Sequence, residues 1–100
     1  MFVMTIINYP PDKTVEIAKT FMKAEETPLP PFLKRLQVLI GSAGESGLST
    51  YGIYEVEAGK EYEGLQEISK RMVAFFGIEG FRYRVETVMT PEEAIPMLGL

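Results

Sequence analysis

Arg35, Arg82 and Arg84 are the side chains in this sequence best suited to receive a carboxylate or another small anion, because a guanidinium fork matches two oxygens at once. Tyr51, Tyr54 and Tyr83 add phenol hydroxyls. Such groups either orient an aromatic or quinone-like ligand or satisfy themselves on backbone and water. In an extended segment alternate residues share a side, so Arg82, Arg84 and Glu86 fall together. Arg35 and Gln37 join them if Leu36, Val38, Phe81 and Tyr83 face the opposite way. The arginines have a second reading, as partners of Glu55 or Glu86 at a sheet edge or subunit rim, where an exposed pair contributes about 0–1 kcal/mol. The candidate ligand-binding set is Arg35, Tyr51, Tyr54, Arg82 and Arg84. No catalytic residue is assigned.

What is missing narrows the chemistry further. The 100 residues contain no histidine and no cysteine, which removes the commonest catalytic base, the strongest nucleophile and the usual zinc ligands. Ser42, Ser46, Ser49 and Ser69 have no histidine to activate them. The acidic run Glu55, Glu57, Glu61 and Glu63 lacks calcium-loop spacing, and Glu61 suits a helix N-terminus on electrostatic grounds alone. No metal and no cofactor is expected. Gly41 to Gly47 superficially suggests a phosphate loop, but it lacks the Gly-Lys-Ser/Thr ending and joins two strands, so it reads as a mobile hairpin connection. Asn8, the one asparagine, sits where the first strand ends and reads as a turn cap.

The formal net charge is -4 and the basic residues are scattered, which disfavours a nucleic-acid partner. Aromatic neighbours of Arg82 and Arg84 imitate an RNA-reading sheet, and the acidic excess argues against that too. Met1 to Asn8 is apolar but short and carries no basic leader, so it reads as a strand and not a signal peptide. No apolar run approaches the roughly 18 residues of a membrane helix. A cytoplasmic protein with no membrane partner is expected.

The elements that must position these residues follow from periodicity, within one domain spanning 1–100. Phe2 to Asn8 is β-branched and uncharged and reads as a strand ending at Tyr9-Pro10-Pro11-Asp12. A helix follows from Asp12 or Lys13 to Glu25 or Glu26, capped by Asp12 or Thr14. Val15, Ala18, Phe21, Met22 and Glu25 form its stripe, widened by Ile17 and Ala24. Phe32 to Ile40 and Leu48 to Glu57 are strands. In the latter Tyr51, Ile53 and Glu55 oppose Thr50, Gly52, Tyr54 and Val56. A second helix covers Glu61 to Phe76, with Tyr62, Leu65, Ile68, Ser69, Met72, Phe75 and Phe76 inward, Gly77 at its end and Gly64 permitting close approach to the sheet. Phe81 to Met89 is the last strand. Thr90-Pro91-Glu92-Glu93 then places a cap, a first-turn proline and a Glu at the third helical position, which predicts a short C-terminal helix.

Strand, helix, strand, strand, helix, strand is the α+β, ferredoxin-like βαββαβ order, with an antiparallel four-stranded sheet, the first and third strands central and the helices on one face. The central strands nevertheless carry apolar residues on both faces: Phe2, Val3, Met4, Ile6 and Ile7 on the first, Tyr51, Ile53, Tyr54 and Val56 on the third. Helices shield one face only. A second copy packed sheet to sheet is the simplest cover for the other, with fold-back of the C-terminal helix as the alternative.

This order, together with the ending Met89-Thr90-Pro91-Glu92-Glu93-Ala94 after the strand Arg82 to Met89, resembles the dimeric α/β-barrel superfamily, and within it small uncharacterised domain families. The resemblance covers the chain as a pattern and about ten residues as a motif. It implies a homodimeric barrel with a cleft between sheet and helices. Its haem-degrading members use an asparagine with histidine or tryptophan. Both of those are absent here, so that activity does not carry over. The expected function is binding of a small organic, anionic or aromatic, molecule by a homodimer. The alternatives are a cofactor-free monooxygenase or isomerase acting on an aromatic or quinone substrate in a closed cavity at Tyr51 or Tyr54, and a purely structural or protein-interaction module.

Overall fold

The computed structural model describes residues 1–41 and 47–100. Strand β1 (Phe2–Tyr9) ends at two prolines, which cannot extend a ladder. After a 3-10 turn at Pro11–Lys13 comes helix α1 (Thr14–Ala24). Strands β2 (Leu33–Gly41) and β3 (Leu48–Val56) follow. Helix α2 (Glu61–Met72) tightens into a 3-10 turn at Val73–Phe75. Strand β4 (Arg82–Val88) leads to α3 (Pro91–Ala94) and a last 3-10 turn at Ile95–Leu98. Most of the expected loop Gly41 to Gly47 lies outside the described residues.

The four strands form one antiparallel sheet in the order β2-β3-β1-β4, with β1 and β3 central. The ferredoxin-like order and the helices on one face are as expected. The barrel is not. Strands β2 and β4 are the two edges of an open sheet and do not pair with each other. The dimeric α/β-barrel assignment, as fold and as family resemblance, is overturned by that open edge: the βαββαβ order fixes which strands neighbour one another but not whether the sheet curls to closure.

Register fixes which side chains share a face. Val3, Thr5, Ile7 and Tyr9 of β1 align with Tyr54, Gly52, Thr50 and Leu48 of β3 beneath the helices. Phe2, Met4, Ile6 and Asn8 align with Glu55, Ile53, Tyr51 and Ser49 on the opposite, open face. There β4 adds Val88, Glu86, Arg84 and Arg82 in the same rows. The ladder between β2 and β3 shifts register between Arg35 and Gln37. One residue of shift flips the side chains beyond it to the other face. Arg35 therefore shares the helix face with Val38, while Gln37 and Leu39 lie on the open face.

The core is in two parts. One joins Ile7 and Tyr9 to Ile17 of α1 and to Met72 and Phe75. The other joins Val3, Tyr54 and Val56 to Ile68 of α2. Gly64 lets α2 descend onto β3, since a Cβ there would lie 2.5 Å from Val56 Cγ1. The buried stripe of α1 is narrower than its periodicity suggests: Ile17 is buried and Phe21 and Ala24 half-buried, whereas Val15 and Met22 are 66% and 69% exposed. Tyr62 and Ser69 on α2, and Phe76 just past the 3-10 turn that follows it, are likewise exposed. Gly77 does not take the left-handed conformation expected after a helix, and Gly80 does.

Residues 91–100 leave the end of β4 as an arm. Thr90 and Glu93 form the expected capping box, with Thr90 N donating to Glu93 Oε1 at 3.0 Å and Glu93 N to Thr90 Oγ1 at 3.3 Å. The arm does not fold back over the open face. Ile95, Met97, Leu98 and Leu100 are all exposed. The radius of gyration, 14.9 Å, exceeds the ~13 Å of an ordinary 100-residue domain for this reason.

Candidate functional site

A cleft opens between helix α1 and strands β2 and β3, and its lining includes the exposed side chains of Met22 on the helix and Ile40 on β2 (72% exposed). Its volume is about 220 Å³, and Ile7, Ile17, Phe21 and Val38 wall it. The lining is nearly all apolar; its polar members are Thr14, which donates to the Pro11 carbonyl, and the pair Tyr9 and Thr50, whose hydroxyls share a hydrogen bond of 3.1 Å.

A smaller cavity of about 50 Å³ adjoins it, sharing Ile7, Phe21, Val38 and Thr50. It occupies the gap between the two parts of the core, where Thr5 and Gly52 replace large side chains. At ~30 Å³ per water it has room for one or two, and it is far below the ~150 Å³ of an engineered cavity that takes benzene. Tyr54 borders it, but no aromatic ring fits there.

The inner cavity reaches Glu25 and Arg35. Arg35 donates from both terminal nitrogens to the two carboxylate oxygens of Glu25, one bond measuring 2.7 Å. Its guanidinium carbon also lies 5.2 Å from the centre of the Phe21 ring. That hydrogen bonding holds the Glu25 carboxyl below its ordinary range, against a smaller opposing effect of desolvation. The same bond raises Arg35, with a lesser contribution from Tyr54. Behind the pair, Arg71 donates to the carbonyls of Thr27 at 3.0 Å, Pro28 at 2.9 Å and Ala24 at 3.4 Å, and to Glu67 Oε1 at 3.1 Å. It thereby pins the turn that follows α1, where the carbonyls of Thr27 and Pro28 take no backbone donor among the described residues, to α2.

The five residues singled out in the sequence do not form one site. Arg35 and Tyr54 meet across the β2–β3 ladder beneath the helices. Tyr51 points to the open face. Arg82 and Arg84 also lie on that face, on β4, the edge farthest from β2. Tyr83 faces the helix side and stacks between Phe81 and Phe76, at centroid distances of 5.8 and 5.7 Å. Asn8 is not a turn cap: its amide donates to Ser49 Oγ across the sheet at 2.6 Å. Among the described residues no three acidic side chains converge as metal ligands. No helix there is long and apolar enough to cross a membrane.

Glu25, Gly52, Thr5 and Arg71 were missed. Two left a signal in the sequence. Glu25 is a carboxylate in phase with an apolar helix stripe, and Gly52 is a glycine inside a strand, a common mark of close approach.

No family model and no curated protein matches the chain. Among solved structures it is similar to a formyltetrahydrofolate deformylase from Pseudomonas putida, at 11% identity over 87% of this chain with a TM-score of 0.41. It spans 28% of the length of that enzyme. It is also similar to a DUF3240 family protein from Shewanella baltica, at 12% identity over 89% of this chain and 91% of that one, with a TM-score of 0.37. Likenesses this distant carry no functional argument.

Proposed function

We propose that this chain is a binding domain for a small, uncharged, largely apolar molecule, and that it works as a homodimer joined through the open sheet face. The observation behind the ligand is the 220 Å³ cleft between α1 and β2, lined mostly by apolar side chains with the hydroxyls of Thr14, Tyr9 and Thr50 among them. A few oriented polar groups in an apolar concavity are the usual composition of a small-molecule site. The volume lies between the ~150 Å³ that admits benzene and the ~300 Å³ at which drug-sized pockets begin, which suits one aromatic ring or a short chain. An anion is disfavoured because Glu25 already neutralises Arg35. The support for the homodimer is the apolar centre of the open face, where Met4, Ile53 and Tyr51 are half-buried and Leu39 is exposed.

Amide chemical-shift mapping with toluene and indole as probes tests the ligand reading. Shifts are expected in α1, β2 and β3 around Ile17, Val38 and Thr50. Ala18 lines the cleft and is exposed, so Ala18→Phe plugs it without crowding the core. That variant should lose the shifts and keep its thermal midpoint. Wild-type protein that takes up neither probe, or an Ala18→Phe variant that binds them unchanged, overturns the reading.

A further inference from the structure

The open face carries a charge pattern that selects one way of stacking a second copy on it, and the inference rests on the homodimer reading above. Its side chains form four rows across the sheet. From one end they are Lys34, Glu55, Phe2 and Val88; then Gln37, Ile53, Met4 and Glu86; then Leu39, Tyr51, Ile6 and Arg84; then Gly41, Ser49, Asn8 and Arg82. Face-to-face stacking of identical sheets requires a two-fold axis in the interface plane. An axis along the strands lays β4 over β2 of the partner, row on like row. Arg84 then meets an apolar Leu39 and Glu55 meets Phe2, so charges are desolvated without partners. An axis across the strands lays each strand over its own copy with the rows reversed. In the two middle rows Met4 then meets Ile6, Ile53 meets Tyr51 and Glu86 meets Arg84, while the outer rows, at the wet ends of the sheet, put Glu55 over Ser49 and Arg82 over Val88.

We propose that the homodimer uses the second arrangement, with Glu86 of each subunit opposite the partner subunit's Arg84, and with the arm 91–100 lying on the partner. In a single chain Arg84 and Glu86 form only an exposed contact of 3.6 Å, so both are free to pair across the interface. Reversing the rows puts the Val88 end of one sheet over the Arg82 end of the other. The arm leaves from Val88, so it reaches the partner where Asn8, Pro10, Gly80 and Arg82 border a concavity of about 530 Å³. Arg82 has no ion pair among the described residues, and Glu92 in the first turn of the arm is the acidic side chain left outside the capping box.

Area points the same way. Four strands ~4.8 Å apart and about seven residues long at ~3.3 Å each give a face of roughly 450 Å². A stable dimer buries about 800 Å² on each partner. The exposed apolar side chains of the arm supply the remainder.

Charge reversal followed by mixing, read by sedimentation and light scattering, tests the arrangement. Arg84→Glu and Glu86→Arg each place like charges across the proposed contact. Each variant alone should dissociate at least about 10-fold more readily than wild type, the scale of a like-charge penalty. Mixed together they should form a heterodimer, since both contacts are then attractive, and that recovery also shows both variants are folded. Leu98→Glu, at a site exposed in the single chain, should weaken the dimer without lowering helix or strand content. A wild-type dimer indifferent to both reversals overturns the arrangement and leaves the homodimer standing. A dimer that responds to the reversals but not to Leu98→Glu removes the arm from the interface. A wild-type monomer at tens of micromolar overturns the homodimer and this inference together, and leaves the ligand cleft untouched.

Discussion

Glu25, the residue that follows α1, holds both terminal nitrogens of Arg35 on the edge strand β2, so the end of the helix is tied to the strand across the cleft from it. The tie bridges one end of the gap between α1 and β2. It also consumes the charge of the one candidate arginine beneath the helices, so the cleft beside it is electrically neutral. Arg35 is in position for this because the register shift after it returns its side chain to the helix face.

The Glu25–Arg35 pair should make stability depend on acid in a defined direction. The folded carboxyl titrates below its unfolded value of about 4.3, so the pair contributes fully above that pH. The contribution is lost as the pH falls through the lower, folded value. The side chains are 39% and 24% exposed, which limits the effect to about 1 kcal/mol or less. Glu61 and Glu93 are shifted the same way, so the useful quantity is the difference between wild type and Glu25→Gln. Urea midpoints should separate at neutral pH and converge in acid. A gap that stays constant down to pH ~2 means the pair contributes nothing through its charge.

Arg71 should matter more than its surface position suggests. It is the only donor shown for the carbonyls of Thr27 and Pro28 among the described residues, and its side chain also bonds Glu67. Hydrogen bonds to a charged group contribute about 1.5–3 kcal/mol each at their strongest, and partial exposure lowers that. Arg71→Met should cost about 1 kcal/mol, most of it from the lost charge-assisted bonds, because water can replace the guanidinium at the exposed Thr27 and Pro28 carbonyls. Arg71→Lys keeps the charge but not the planar fork and should recover less than half. Equal stability of Lys and Arg at this position, by chemical denaturation, shows that charge alone is at work.

The sequence made the strand order, the central pair and the faces of β3 readable, because strict alternation and turn residues encode them locally. The chemistry was less readable, for physical reasons that particular residues illustrate. The shift between Arg35 and Gln37 has no proline or glycine to announce it, and it moved Arg35 away from the face shared by Arg82 and Arg84. Val15 and Met22 carry the right period for burial, yet α1 buries only the side that bears Ile17, so both face solvent. Barrel closure depends on sheet curvature summed over four strands, which no local pattern records. Tyr51 and Tyr54 were grouped by residue type although their own odd–even spacing places them on opposite faces.

The vacancy between the two parts of the core depends on Gly52, and filling it should expose a coupling with Thr5. A Cβ at position 52 would lie 2.6 Å from Thr5 Oγ1 and 3.0 Å from a ring carbon of Tyr54. Thr5 sits directly opposite on β1 and is buried, so it cannot swing into solvent. Gly52→Ala should therefore destabilise by about 1–3 kcal/mol through overpacking, outweighing the entropic gain of replacing a strand glycine. Thr5→Ala removes the clashing oxygen and opens a small void of its own. The double variant should be more stable than the sum of the single effects by at least about 0.5 kcal/mol, because each change relieves what the other creates. Chemical denaturation of the four proteins measures this coupling directly. Strict additivity would mean that the new methyl group is accommodated by movement of Tyr54 instead, and the shape of the inner cavity would then be set by that ring.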